Sequence, residues 1–359
     1  MNGMKRLALY TASVLVMALL LLLPVSCIGN DEDFYAEFAN TPRGNFTALW
    51  TIMDRHYCFF DLKKKELGVD WNQVYYKYNS SVSDRMSDRS LFEVLCSMIG
   101  ELRDGHVNLV SAYDYGRNWQ WKTDYPANFS KDLQDAYLGN DFIMASVDNC
   151  YKVLSDNIGY LAVKGFSSPM SSSQMNVLIS NFSLCNGMII DLRDNGGGYV
   201  AAAEELASRF TEERILTGYS CYKNGPGHND FSDLEENWLD PDMSNLRWTK
   251  PVVLLVNRGC FSSANDFANM MKNIPTVTLL GDTTGGGGGL PMVSELPNGW
   301  LVRFSSAPSF DPAMNCIESG VAPDIRLDMD EDDIKNGVDT YIEYARKLIN
   351  DRIINIKVK

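Results

Sequence analysis

The sequence is poor in the side chains that most often build metal centres. Only three histidines occur among 359 residues, at 56, 106 and 228, and there is no His-Glu-x-x-His string, so no metal site is expected. Eight cysteines are present, but no two stand as Cys-x-x-Cys, which argues against a zinc knuckle. Positive charge is also scarce: 32 Lys and Arg face 46 Asp and Glu, a formal net charge of −14. With no basic stripe along the chain, nucleic acid is not a natural partner. Repeats and low-complexity tracts are lacking too. What is present is an ordinary globular composition, 45% hydrophobic and 11% aromatic, enough for one large or two medium domains with a sizeable core.

The one long apolar run lies at the start. Lys5 and Arg6 precede Leu7 to Val25, the pattern of an export signal. The Ser26-Cys27 that follows resembles the lipobox of bacterial lipoproteins, in which the cysteine becomes the lipidated first residue of the mature chain. The expectation is an exported protein, lipid-anchored through Cys27 to the bacterial outer membrane or cell surface. A plain cleaved signal or an anchor helix is the alternative, since ~20 apolar residues span a bilayer. Residues 1–27 are therefore set aside as signal, and the acidic 28–33 as a solvated tether. Seven further cysteines (58, 96, 150, 185, 221, 260 and 316) are odd in number. Most are expected to be buried as small hydrophobes, with one or two disulfides left open.

Along the rest of the chain the hydrophobic period changes. Phe46, Leu49, Trp50, Ile52 and Met53, then Leu91, Phe92, Val94, Leu95, Met98 and Ile99, recur at helical spacing, predicting a small helical N-terminal domain over 34–105. Residues 106–156, rich in Tyr, Trp, Asn and Asp, predict a strand and loop connector. From 157 to 348, apolar runs at 158–163, 187–192, 251–256 and 277–281 alternate with helical stretches at 170–182, 200–210 and 263–273, and 333–348 predicts a last helix. A short tail, 349–359, closes the chain. Such alternation predicts an α/β fold, a parallel-rich core sheet with flanking helices, and functional residues at strand-to-helix junctions.

Three segments carry candidate chemistry. Asp-Leu-Arg-Asp-Asn-Gly-Gly-Gly (191–198) joins a strand to a glycine turn that exposes amides. It serves either as a tight connection or as an anion cradle, without the lysine of a P-loop. Asn-Arg-Gly-Cys-Phe-Ser-Ser-Ala-Asn-Asp-Phe (257–267) places Ser262 and Ser263 at a helix start, as an N-cap or as a nucleophile. Leu-Arg-Asp-Gly-His (102–106) supplies His106, the best placed of the three histidines to take a serine proton.

These strings, with Leu-Gly-Asp-Thr-Thr-Gly-Gly (280–286) and Glu-Ser-Gly-Val-Ala-Pro-Asp (318–324), stand in the order seen in the S41 family of serine peptidases. The sequence resembles that family from roughly 100 to 330, and its helical N-terminal part resembles the domain that precedes the core in tricorn-like members. The resemblance implies a ClpP/crotonase-like core and a serine endopeptidase acting on protein or peptide, without cofactor. It places the nucleophile on Ser262, with Ser263 as a less favoured substitute, and the oxyanion amides on Ser263 and Gly198, with Gly197 next. The lysine base of the processing branch would fall on Gly287, so the histidine-based branch is implied, with His106 as base and Glu318 as the catalytic glutamate. Where tricorn-like enzymes carry a serine before that histidine, Gly105 stands, leaving Asp104 or Glu318 to orient His106. The Gly285–Gly289 loop is expected near the site, as a flexible substrate contact or a mobile hairpin. No PDZ domain is evident between His106 and Asn157, so C-terminal specificity is not implied. Homo-oligomers are compatible with the helical segment. The alternative is a catalytically silent binding protein on the same fold, taking a hydrophobic ligand or peptide at the cell surface, as some relatives do.

Overall fold

The computed structural model describes residues 38–117 and 119–351. The signal, Cys27, the 28–33 tether and most of the 349–359 tail lie outside them. The described residues begin with helices α1 (Pro42–His56), α2 (Phe60–Leu67), α3 (Trp71–Asn79) and α4 (Asp88–Gly100). Their starts are written locally: Thr41, Asp70 and Ser87 each turn a side-chain oxygen onto the first free amides, the usual role of such residues at a cap.

Strands β1 (Asn108–Val110) and β2 (Tyr115–Arg117), helix α5 (Lys131–Leu138) and strands β3 (Ile143–Met144) and β4 (Asn149–Val153) follow. The alternating part then runs β5 (Gly159–Val163), α6 (Ser172–Asn181), β6 (Met188–Asp191), α7 (Val200–Ala207), β7 (Ile215–Ser220), β8 (Glu235–Leu239), β9 (Val252–Val256), α8 (Ser263–Lys272) and β10 (Val277–Gly281). A hairpin of β11 (Gly289–Glu295) and β12 (Leu301–Phe310), then β13 (Ile325–Arg326), α9 (Glu331–Lys335) and α10 (Thr340–Asn350), complete it.

The main sheet has the order β13-β10-β9-β6-β5-β4-β3. Its first five strands are parallel, and β4 and β3 add antiparallel. Both faces are covered, as continuous apolar strands require. Leu161, Ile190 and Leu254 pack under α6 to α8, while their neighbours Tyr160, Ile189 and Val253 face Tyr341, Ile342 and Ala345 of α10. This is the expected parallel-rich α/β core.

Four features depart from the expected organisation. A second sheet, β2-β1-β12-β7-β8 with β11 beside β12, is wholly antiparallel. Residues 106–156 do not form one connector, because β1 and β2 join this second sheet while β3 and β4 extend the first. The last helix is two, α9 and α10, broken at Gly337, whose φ of +75° is left-handed. Helices α1 to α4 bury Phe46, Leu49, Leu91 and Leu95 against Leu109, Val302 and Phe304 of the second sheet, so their core is shared rather than closed. All seven cysteines after Cys27 are unbridged, five of them buried, which leaves the disulfides allowed above unformed. Among the described residues no helix is long and apolar enough to cross a membrane.

Candidate active site

Strand β9 ends in a turn locked by one side chain. Asn257 Oδ1 accepts the amides of Asp194 and Gly259, and its Nδ2 donates to Ala127 O and Asp194. The chain then enters α8 through Ser262 at φ +58°, ψ −128°, a conformation that costs a non-glycine residue energy and must be imposed by its surroundings. The restraints come from the backbone: Phe261 N donates to Asn195 O, and Ser262 N to Gly286 O. Although Ser262 holds the N-cap position of α8, its hydroxyl makes no capping bond. It meets His106 Nε2 at 3.1 Å instead.

His106 arrives from the opposite side, on the turn between α4 and β1. Asp104 shapes that turn, its Oδ1 accepting the His106 amide at 2.7 Å and its Oδ2 the hydroxyls of Tyr57 and Ser305. The imidazole packs on the Phe261 ring, centroids 4.8 Å apart. Burial pushes its pKa down to about 4; Asp104 and the Gly289 backbone oppose the fall, and Arg303 and Lys122 add to it. His106 is therefore neutral at neutral pH, as a proton acceptor must be. Its Nδ1 is buried without a well-aligned hydrogen bond, and the Gly289 backbone beside the ring, which favours its protonated form, shares with packing the task of setting it; no carboxylate does so. Neither Asp104 nor Glu318, the two candidate orienters, bonds it.

The glycine turn lies against this corner. Gly197 N is taken by Asn195 Oδ1, whereas the amides of Gly198 and Ser263 have no bond among the described residues. A Cβ at Gly197 would stand 2.9 Å from Ser262 Cβ and 3.1 Å from Ser263 N, which shows how closely the turn approaches the serine. The Ser263 hydroxyl is buried without a partner and does not bond His106.

Glu318 sits behind the glycine loop, not beside His106. Its Oε1 accepts Lys63 Nζ at 3.0 Å and its Oε2 the Gly288 amide at 3.1 Å. Burial and the Asp104 charge push Glu318 up to about 7 in spite of Lys63. Burial pulls Lys63 down, but Glu318 and Asp104 outweigh it and leave its pKa raised. The two partners thus shift in the same direction. Two donors on the carboxylate and none of its oxygens donating favour the ion pair as the neutral-pH state. Gly286 O, Gly287 N and Gly288 N are all tied down, and Gly286–Gly289 are buried, so the loop is a braced wall and not a mobile hairpin.

Phe261 explains two departures from the family pattern. A Cβ on Gly105 would meet its ring at 2.6 Å, and one on Gly287 would meet it at 2.7 Å and Ser262 N at 2.9 Å. The ring fills the place where a serine before the histidine, or a lysine in the loop, would begin. Sequence reasoning missed both Phe261 and Lys63. Lys63 opens a Lys-Lys-Lys run that reads as a solvated face, and only its burial reveals it. The Asp-Leu-Arg part of the 191–198 segment is scaffold: Arg193 is fully buried between Asp191 (2.7 Å) and Asp339 (3.0 Å), pinning α10 to the sheet end.

A strained serine on a helix start, a neutral histidine at its hydroxyl and two unpaired amides define a serine-hydrolase type of site. The comparisons give the lineage. Residues 157–327 match the model of peptidase family S41, and residues 38–100 that of the tricorn protease C1 domain. A structure from Parabacteroides merdae ATCC 43184, described as a candidate peptidase, is 47% identical, covering 87% of this chain and 97% of that one, with a TM-score of 0.82. Mature CPAF complexed with lactacystin shares the fold, with a TM-score of 0.66 at 13% identity over 87% of this chain and 99% of that one. The carboxy-terminal processing protease CtpA of Bacillus subtilis (strain 168) is 26% identical over 59% of this chain and 46% of its own length. The chloroplastic carboxyl-terminal-processing peptidase 2 of Arabidopsis thaliana is 28% identical over 47% of this chain and 32% of its own. This chain thus spans less than half the length of those two curated relatives. It belongs to peptidase family S41.

Proposed function

We propose that the protein is a serine endopeptidase with Ser262 as nucleophile and His106 as general base. The observation that carries this is the 3.1 Å approach of Ser262 Oγ to His106 Nε2, made by a hydroxyl that forgoes the capping bond its position offers. In the first step Ser262 Oγ attacks the peptide carbonyl carbon while His106 Nε2 takes the hydroxyl proton. Negative charge then grows on the carbonyl oxygen, where the amides of Ser263 and Gly198 supply donors. His106 returns the proton to the leaving amine, and a water activated by the same nitrogen hydrolyses the acyl-enzyme. Glu318, with Lys63 behind it, holds the Gly288 wall and so acts by positioning.

Hydrolysis of casein and labelling by a fluorophosphonate test this in the parent and in Ser262→Ala and His106→Ala. Both signals should be present in the parent, absent in the first variant, and reduced at least ~10³-fold in the second. A parent that neither labels nor cleaves would favour the silent binding protein. Export and lipid anchoring through Cys27 belong to the same proposal. Membrane fractionation of Cys27→Ser should release the protein into the soluble fraction, and retention on the membrane would sink that part.

A further inference from the structure

A cavity of about 400 Å³ opens beside Ser262, bounded on one side by Gly287–Gly289. One helical turn beyond the serine, with its amide on Ser262 O at 3.1 Å, Asp266 borders this cavity. No hydrogen bond or ion pair to its carboxylate forms among the described residues. Glu204 of α7 and Glu236 of β8 also border the space, and no lysine or arginine does. Glu236 accepts the Trp238 indole N–H at 3.0 Å; both glutamates are exposed, whereas Asp266 is partly buried. Trp238, Met270 and Ile317 supply apolar wall.

An enclosed carboxylate without a cation is costly, and here burial alone pushes the Asp266 carboxyl up to about 7. Its place in the first turn of α8 gives some relief from the helix dipole. The same negative charge, one turn from the amides meant for an oxyanion, works against them. No lysine or arginine lines the cavity to offset it, so a basic group on the substrate would both pair with the carboxylate and hold it ionised. The lining agrees: the exposed Glu204 and Glu236 attract a cation, Trp238, Met270 and Ile317 pack an aliphatic stem, and the partly buried Asp266 takes its charged end.

Resting on the serine-peptidase proposal, we propose that Asp266 selects substrates with lysine or arginine immediately before the cleaved bond. The first test maps casein cleavage sites by mass spectrometry, with fluorophosphonate labelling alongside. Cuts should follow Lys and Arg in the parent. A second measurement compares kcat/KM for matched peptides carrying lysine or norleucine at that position. The lysine-to-norleucine ratio should exceed about tenfold in the parent and fall at least tenfold in Asp266→Asn, a buried carboxylate-cation contact being a strong one. A parent that labels and cleaves without preference for basic residues, or a ratio unmoved in Asp266→Asn, overturns the specificity but not the peptidase. Binding of the same two peptides to Ser262→Ala by calorimetry needs no turnover. There the lysine peptide should bind at least tenfold tighter, and equal affinities overturn the proposal even if the parent proves inactive.

Discussion

At the scale of single residues, the corner at Ser262 is governed by what is squeezed and what is buried. Gly105→Ala would drive a methyl group to 2.6 Å from the Phe261 ring, and overpacking of that kind costs about 1–3 kcal/mol. Urea unfolding should show the loss, and it should shrink in the Phe261→Leu background; equal losses in both would mean that the ring is not the obstacle. His106 makes a second prediction, with a definite sign. Its neutral form is the base, and burial holds the folded pKa at about 4 against an ordinary 6.5. The rate of fluorophosphonate labelling should therefore fall as pH drops through about 4, without a limb near 6.5. Between about 6.5 and 4 the unfolded chain binds a proton that the folded one refuses. Stability should accordingly decline as pH falls through that window. That Ser262 and His106 are the pair that meets was legible from the resemblance carried by the Asp-Gly-His and Ser-Ser strings. Which ring nitrogen faces the hydroxyl, and the absence of a carboxylate on the other, were not, because both depend on groups far apart in the sequence.

At the scale of elements, the parallel core was legible because its strands are unbroken apolar runs; β5, β6, β9 and β10 fall within a residue or two of the runs that predict them. The second sheet was not. β8 and β11 each bury only one residue fully, β11 carries Pro291 and a register shift at Leu290/Pro291, and their polar residues mimic loops. Their pairing depends on β12, whose one flanking signal is the Asn298-Gly299 turn, with Gly299 at φ +84°. Helix α2 gives the sharpest element-level prediction. Lys63 is the one member of its basic run to pair with Glu318, in a bridge where both side chains are almost wholly buried. Lys63→Met would leave that carboxylate without its cation, a change expected to cost about 3–5 kcal/mol. The double variant Lys63→Met/Glu318→Gln should recover a good part of it in thermal unfolding. Two additive losses would show the pair to be uncoupled.

At the scale of the whole molecule, the helices and the second sheet hold one core in common. A chain lacking residues 38–100 would expose the faces of Val302, Phe304 and Leu109. Such a truncation should be recovered insoluble, or with the circular dichroism of an unfolded chain, whereas a soluble folded product would mean that the sheet can stand alone. The charge of −14 acts at the same scale. At an ionic strength of 0.15 M the screening length is about 8 Å, so kcat/KM for basic peptides should fall as salt is raised above low ionic strength, while matched neutral peptides change little. The Phe261 ring has a historical consequence as well. Because it crowds two glycines from different segments, neither a serine at 105 nor a lysine at 287 could be acquired by a single substitution without a clash. A lineage carrying this ring reaches a serine at 105 only once the ring is replaced, whereas a lysine at 287 would in addition require a shift of the Ser262 backbone and of the left-handed φ of +82° at 287.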